Sequence, residues 1–265
     1  MTTAIIGAGV MGETLLSGLL RAGVPKSELL IADRRIERSA EVTIEHGVAN
    51  GTNQEVAAKA DTVVLVVKPQ DMAIVLDEIK DSLRPGTLVV SLAAGITTGF
   101  MEDLLPAKTP GIRVMPNTPA LVDQGMAAIS SGTNSTEEHL VTVETLLRSV
   151  GQVVRVPEKY QDAVTAISGS GPAYIFYVVE AMIEGGVMLG LPRDVANELV
   201  LQTVYGAATM LRETSEHPTV LREQVTSPGG TTVAALRQFD DFKVRAAFLS
   251  AMEAARDRSK ELGMQ

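Results

Sequence analysis

Cysteine and tryptophan are absent from the 265 residues, and histidine occurs only at His46, His139 and His217. Without a thiol there is no disulfide, no thiolate nucleophile and no zinc–sulfur centre. The three histidines are scattered and show no metal-ligand spacing, so no metal site is expected. Aromatic residues make up 3% of the chain, against 45% for all hydrophobic types. The core must therefore be aliphatic, which suits helices and parallel strands. Basic residues are also scarce: 23 Lys and Arg face 32 Asp and Glu, a net charge of −9 with no dense basic cluster. That argues against nucleic acid as a partner, since phosphate binding needs Lys and Arg to replace counterions. No apolar run approaches the ~20 residues that span a bilayer, so no membrane partner is expected. The first strand candidate starts at residue 2 and leaves no room for a leader, so the default expectation is a cytoplasmic protein.

What is present begins at once. Thr2 to Ile6 lead into Gly7, Ala8, Gly9, Val10, Met11 and Gly12, a G-x-G-x-x-G spacing, and Leu15, Leu16, Leu19 and Leu20 follow at helical spacing. Strand, glycine turn and helix in that order suit a dinucleotide pyrophosphate. Gly7 permits the turn, Gly9 lets the backbone approach the phosphates, and Gly12 lets helix and strand pack. The phosphates would sit on the free N–H groups at the helix start.

To about residue 157 strands and helices alternate. Strands are expected at 29–32, 61–67, 87–91, 112–115, 127–130 and 152–156, with helices at 35–45, 72–83 and after Thr136. That pattern is α/β, a doubly wound, Rossmann-like, mostly parallel sheet. From residue 158 to 265 only helical patterns appear. The segment 174–189 is apolar nearly all round, so it needs cover on every face. A second copy of the chain would supply it, which predicts a homodimer. The expected division is a dinucleotide-binding domain over 1–157 and a helical dimerisation and substrate domain over 158–265.

Ligands of open α/β sheets bind beyond the carboxyl ends of the strands. Lys68-Pro69, Leu92-Ala93-Ala94-Gly95 and Pro116-Asn117 stand at three such ends. The small residues would leave room for a flat nicotinamide, and Lys68 and Asn117 could offer donors. At the end of the second strand two signals conflict. Asp33 stands where an acid would bind the ribose 2′-OH of NAD. Arg34 and Arg35 follow directly and suit the 2′-phosphate of NADP. In the helical half, residues 167–172 break the helical pattern with Gly169, Gly171 and Pro172. Residues 225–232 hold Gly229, Gly230 and three threonines before a helix start, an anion nest that fits a carboxylate.

Taken together, Gly-Ala-Gly-Val-Met-Gly (7–12), Val-Val-Lys-Pro (66–69), Ala-Ala-Gly-Ile-Thr (93–97), Met-Pro-Asn-Thr-Pro-Ala (115–120), Ala-Val-Thr-Ala-Ile-Ser-Gly-Ser-Gly-Pro-Ala-Tyr (163–174) and Thr-Ser-Pro-Gly-Gly-Thr-Thr (226–232) resemble the Δ1-pyrroline-5-carboxylate reductase family. The resemblance covers essentially the whole chain. It implies NADPH-dependent reduction of a cyclic imino acid to L-proline, with NADH as the other possible donor. It also implies an intertwined homodimer, often assembled into decamers. Carried over by position, the cofactor contacts are Ile6, Gly7, Ala8, Gly9, Val10, Met11, Asp33, Arg34, Asn53, Val66, Val67, Lys68, Pro69, Leu92, Ala93 and Ala94. Gln224 joins them from the partner chain. The substrate residues are Glu158, Ser227, Gly230, Thr231 and Thr232, with the Thr232 hydroxyl facing the ring nitrogen as the catalytic group.

Two other readings stand beside this one. A β-hydroxyacid dehydrogenase shares the glycine start but carries a catalytic lysine on an interdomain helix, and residues 174–190 hold no lysine. A non-catalytic dinucleotide sensor has no need of the nest at 226–232.

Overall fold

Residues 1–263 are described by the computed structural model of the chain. Runs of Val, Ile, Leu and Ala form β1 (Thr3–Ile6), β2 (Leu29–Ala32), β3 (Ala49–Asn50), β4 (Thr62–Leu65), β5 (Leu88–Ser91) and β6 (Gly111–Met115). These lie parallel in the order β3-β2-β1-β4-β5-β6. The edge then turns: β7 (Gly125–Ser131) runs antiparallel to β6, and β8 (Gly151–Arg155) runs parallel to β7. The helices of this half are α1 (Val10–Arg21), α2 (Ile36–His46), α3 (Asn53–Lys59), α4 (Met72–Ile79), α5 (Thr98–Leu104) and α6 (Glu137–Leu147). Every residue of β1, β2, β4 and β5 is buried, as a sheet covered on both faces requires. Strand alternation divides the core. Ile5, Val64 and Val90 pack with Leu15, Leu16 and Leu19 of α1, while Ala4, Ile6, Val63 and Val89 pack with Met72, Leu76 and Ile79 of α4. The order reverses between β1 and β4, and the crevice at a reversal point is where such sheets bind ligands.

Several elements differ from the sequence reading. The helix expected to run to residue 83 ends at Ile79 and passes into a 3-10 turn, Lys80–Ser82. β3, α3 and α5 were not expected. The signal for α3 was present, since Thr52 accepts the Glu55 N–H at 3.2 Å and the Glu55 carboxylate accepts the Thr52 N–H at 2.9 Å.

The remaining helices are α7 (Gln161–Val164), α8 (Gly171–Met188), α9 (Arg193–Thr214), α10 (Pro218–Gln224), α11 (Thr231–Asp241) and α12 (Val244–Gly263). The expected break at 167–172 is a π turn, Thr165–Gly169, in which the Ser170 N–H reaches the Thr165 carbonyl at 2.8 Å. Pro172 has no N–H for the Ser168 carbonyl four residues back. Asn117 Nδ2 donates to that carbonyl instead, at 3.0 Å.

The chain forms two compact units, Met1–Ser170 with the end of α12 from Ala254, and Gly171–Glu253. This differs from a division at 157/158, because residues 158–170 pack with the sheet. Gln161 is wholly buried, and its Nε2 donates to Ser130 Oγ at 2.8 Å. Ser259 of α12 donates to Asp162 at 2.7 Å.

In the second unit α8 has no buried residue. Phe176, Tyr177 and Met188 are 66%, 76% and 84% exposed. The membrane expectation also needs correcting: among the described residues the helical stretch Glu158–Met188 is, by length and composition, apolar enough to cross a bilayer, with a mean hydropathy of 1.2 over an 18-residue window.

The dinucleotide cleft and the 226–232 loop

β1 ends in a turn that needs its glycines for different reasons. Gly7 has φ +108°, and a Cβ there would strike the Val66 carbonyl. A Cβ on Gly12 would strike the Gly7 carbonyl. Gly9 differs: its φ is −69°, and a Cβ there would meet no atom within 4 Å. Packing therefore does not demand glycine at that position, and the space beside it is open. Gly9 is the N-cap of α1 and brings no side-chain cap, so the amides of the first helical turn lack internal partners.

A cleft of about 270 Å³ opens beside this turn. Nine expected residues line it: Ile6, Gly7, Gly9, Asp33, Arg34, Asn53, Val66, Val67 and Lys68. Arg35, Asp71 and Val75 join them. Of the other expected contacts, Ala8 is fully buried, Val10 is 67% exposed, and Pro69 starts a 3-10 turn behind Lys68. Met11 and Leu92 share a small separate crevice with Pro116, Asn117 and Met126. Ala93 is buried and Ala94 half-buried at the end of β5.

Three expectations change in detail. Asp33 lines the cleft, yet its side chain is only 8% exposed. Its Oδ2 accepts the Ala8 N–H at 2.8 Å, and its Oδ1 accepts the Arg35 N–H at 2.9 Å and Arg35 Nε at 3.3 Å. Burial pushes this carboxyl up, but those two amides and the Arg35 guanidinium outweigh it and hold the group below the usual aspartate range. Asn117 is fixed within the chain: its Nδ2 donates one hydrogen to the Ser168 carbonyl at 3.0 Å and its Oδ1 accepts the Met126 N–H at 2.8 Å. Gly95 leaves room for Leu262 and Gly263 at the end of α12, not for a ligand ring. Arg34, with a side chain 72% exposed, reaches Asp71 at 3.3 Å and stands at the cleft rim.

Glu158 binds within the chain. It accepts the Thr98 N–H at 2.8 Å and the Thr98 hydroxyl at 2.6 Å, and it faces the buried Arg113 at 3.5 Å. It braces the start of α5 against β6. The ligand atoms of Glu13, Glu45 and His46 also fall within 4.8 Å of one another. Arg38 and His46 already engage the two Glu13 oxygens within the chain.

In the second unit the 226–232 loop joins α10 to α11. The Gly230 N–H, expected as a substrate donor, donates to the Ser227 carbonyl at 3.0 Å. Gly230 is the N-cap of α11, without a side-chain cap. Helix geometry therefore leaves the amides of Thr231, Thr232 and Val233 free. The Thr232 hydroxyl has no partner among the described residues. Gln224 ends α10 and is exposed.

A mostly parallel sheet with this strand order, a glycine turn and a helix start with free amides have the form of a dinucleotide-binding domain. The comparisons agree. Residues 2–95 match the family model "NADP oxidoreductase coenzyme F420-dependent", and residues 158–262 match "Pyrroline-5-carboxylate reductase dimerisation". A pyrroline-5-carboxylate reductase of Corynebacterium melassecola is 46% identical over 99% of this chain and 98% of its own. The solved structure of a pyrroline-5-carboxylate reductase from Coxiella burnetii is 37% identical with a TM-score of 0.93, covering 98% of both chains. A Plasmodium falciparum pyrroline carboxylate reductase solved with NADP bound is 30% identical with a TM-score of 0.87, covering 99% of this chain and 98% of the other. The chain belongs to the pyrroline-5-carboxylate reductase family. It is homo-oligomeric, and its cofactor is NAD(P)H.

Proposed function

We infer that this chain reduces Δ1-pyrroline-5-carboxylate to L-proline at the expense of NAD(P)H, the last step of proline biosynthesis. The observation that carries the reading is the pairing, in one chain, of a cradle kept open at Gly9 with a second free helix start at α11. The names of the relatives support it. A reduced nicotinamide bound in the cleft supplies the hydride that C5 of the imine accepts.

The chain's own part is binding and orientation. The first-turn amides of α1 face the pyrophosphate, and Arg34 and Arg35 stand where a 2′-phosphate would lie. The amides of Thr231, Thr232 and Val233 hold the substrate carboxylate, with Ser227 beside them. The Thr232 hydroxyl hydrogen-bonds the ring nitrogen, which arrives protonated from water, so no buried acid is needed. Orientation of this kind is worth ~7–11 kcal/mol of the barrier. The β-hydroxyacid dehydrogenase alternative is disfavoured because α8 carries no lysine. A sensor would not need the uncommitted amides of α11.

The reading includes assembly. The apolar faces of α8 and α9 meet a second copy rather than a bilayer, since Glu180 and Glu184 interrupt the apolar surface of α8. The family resemblance supports a decamer of five such dimers in the cytoplasm. Gln224 reaches the cofactor of the partner chain in this arrangement.

The test is to incubate the purified protein with the imine and NADPH. Stoichiometric L-proline and loss of reduced-nicotinamide absorbance are expected. Absence of both, with either reduced cofactor, overturns the reading.

A further inference from the structure

The Ala8 residue is held from both sides. Its N–H donates to Asp33 at 2.8 Å, and its carbonyl accepts Arg38 Nε at 2.8 Å. Arg38 is itself fixed: one Nη2 contact goes to Glu13, in the first turn of α1, and Nη1 reaches Glu41 at 3.3 Å. His46 closes on the other Glu13 oxygen at 3.2 Å. The arrangement ties the glycine turn, α1 and α2 together.

A trans peptide points its carbonyl and its N–H in opposite directions. Gly7 and Gly9 on either side of Ala8 give these peptide planes unusual rotational freedom. The Arg38 bond to the Ala8 carbonyl therefore fixes the next N–H, that of Gly9, facing away from Arg38. Gly9 lines the cleft. In the same way the Asp33 bond to the Ala8 N–H directs the Gly7 carbonyl toward Gly12, where a Cβ would strike it.

We propose that Arg38, held by Glu13, is a positioning residue that aims the Gly9 amide at the cofactor pyrophosphate, and that Asp33 braces the preceding peptide instead of reading the ribose. Each oxygen of Asp33 accepts a backbone amide and the side chain is only 8% exposed, so its presence does not select NADH over NADPH. The proposal rests on the reading of this cleft as the pyrophosphate site.

The test compares two competitors of NADPH: 2′-phospho-ADP-ribose, which has the pyrophosphate, and 2′-AMP, which lacks it. Arg38→Gln is expected to weaken 2′-phospho-ADP-ribose about tenfold, the effect of one lost hydrogen bond to a charged group, and to leave 2′-AMP as it was. KM for NADPH rises by a similar factor, with a much smaller change in kcat at saturating cofactor. Equal weakening of both competitors, or of neither, overturns the role of Arg38. Asp33→Ala is expected to raise KM for NADH and NADPH together, and a loss confined to NADH overturns the role of Asp33. If the parent fails to bind 2′-phospho-ADP-ribose in competition with NADPH, the cleft reading fails, and this inference with it.

Discussion

Replacing Gly9 by alanine separates what the fold needs from what the ligand needs. The backbone at Gly9 is already in a region open to alanine, and the new methyl would touch nothing within 4 Å. Two small effects on stability oppose each other. Alanine is a poorer N-cap than glycine, at a cost of about 0.5–1 kcal/mol. Removing glycine from the unfolded chain returns about 0.4–1 kcal/mol. The net change is near zero, and Tm should move by no more than about 2 °C. Binding is another matter. On the proposed reading of the cleft, the methyl takes space from the pyrophosphate and costs one or two charge-assisted hydrogen bonds, about 1.5–3 kcal/mol each. The Kd for NADPH should therefore rise at least about tenfold. The chain has no tryptophan, so the fluorescence of the reduced nicotinamide reports binding against little background. Gly12→Ala is the contrast, because its methyl meets the Gly7 carbonyl and should lower Tm as well as binding. A Gly9→Ala protein that melts like its parent and binds NADPH equally well would refute the assignment of this turn.

Other consequences follow from the same contacts. Thr232→Ala should lower kcat about 10- to 100-fold, the effect of losing a hydrogen bond to a charged nitrogen, with KM for NADPH little changed in steady-state assays. Asn117→Ala leaves the Ser168 carbonyl without a donor, since Pro172 offers none, and should cost about 1–3 kcal/mol in denaturant unfolding. Asp33 has a folded pKa below its ordinary value of 3.8, so the stability it contributes is fully present above about pH 4 and is lost as pH falls through the folded value. The difference in Tm between the parent and Asp33→Asn should thus be constant near neutrality and shrink only in strong acid. Phe176→Glu places a charge on an exposed apolar face of α8 and should shift the sedimenting species to lower mass.

The sheet was readable because each central strand is a continuous apolar run with nothing else it could be. Leu29–Ala32 was legible to the residue. β3 has two residues and α5 has seven, too few for a period to emerge. The antiparallel step at β7 left no trace either, because hydrophobic pattern does not record strand direction. In the site, the glycine spacing located the cleft and chain order located its rim. The long-range hydrogen bonds around the glycine turn were less visible. Arg38 and Ala8 are separated by 30 residues of sequence, and no local motif joins them. Asp33 occupied the position of a ribose ligand in sequence, but only the structure shows its oxygens turned to Ala8 and Arg35. Similarly, a helix after the 225–232 loop was legible, but it starts at Thr231 and not at Val233, and the turn that consumes the Gly230 amide was not legible.

The most direct measurement is a crystal structure with oxidised cofactor and L-proline bound. The proline carboxylate should accept hydrogen bonds from the Thr231 and Thr232 amides, its ring nitrogen should face the Thr232 hydroxyl, and the pyrophosphate should lie against Gly9. Proline bound away from the start of α11, or a cofactor whose phosphates avoid the glycine turn, would contradict the account.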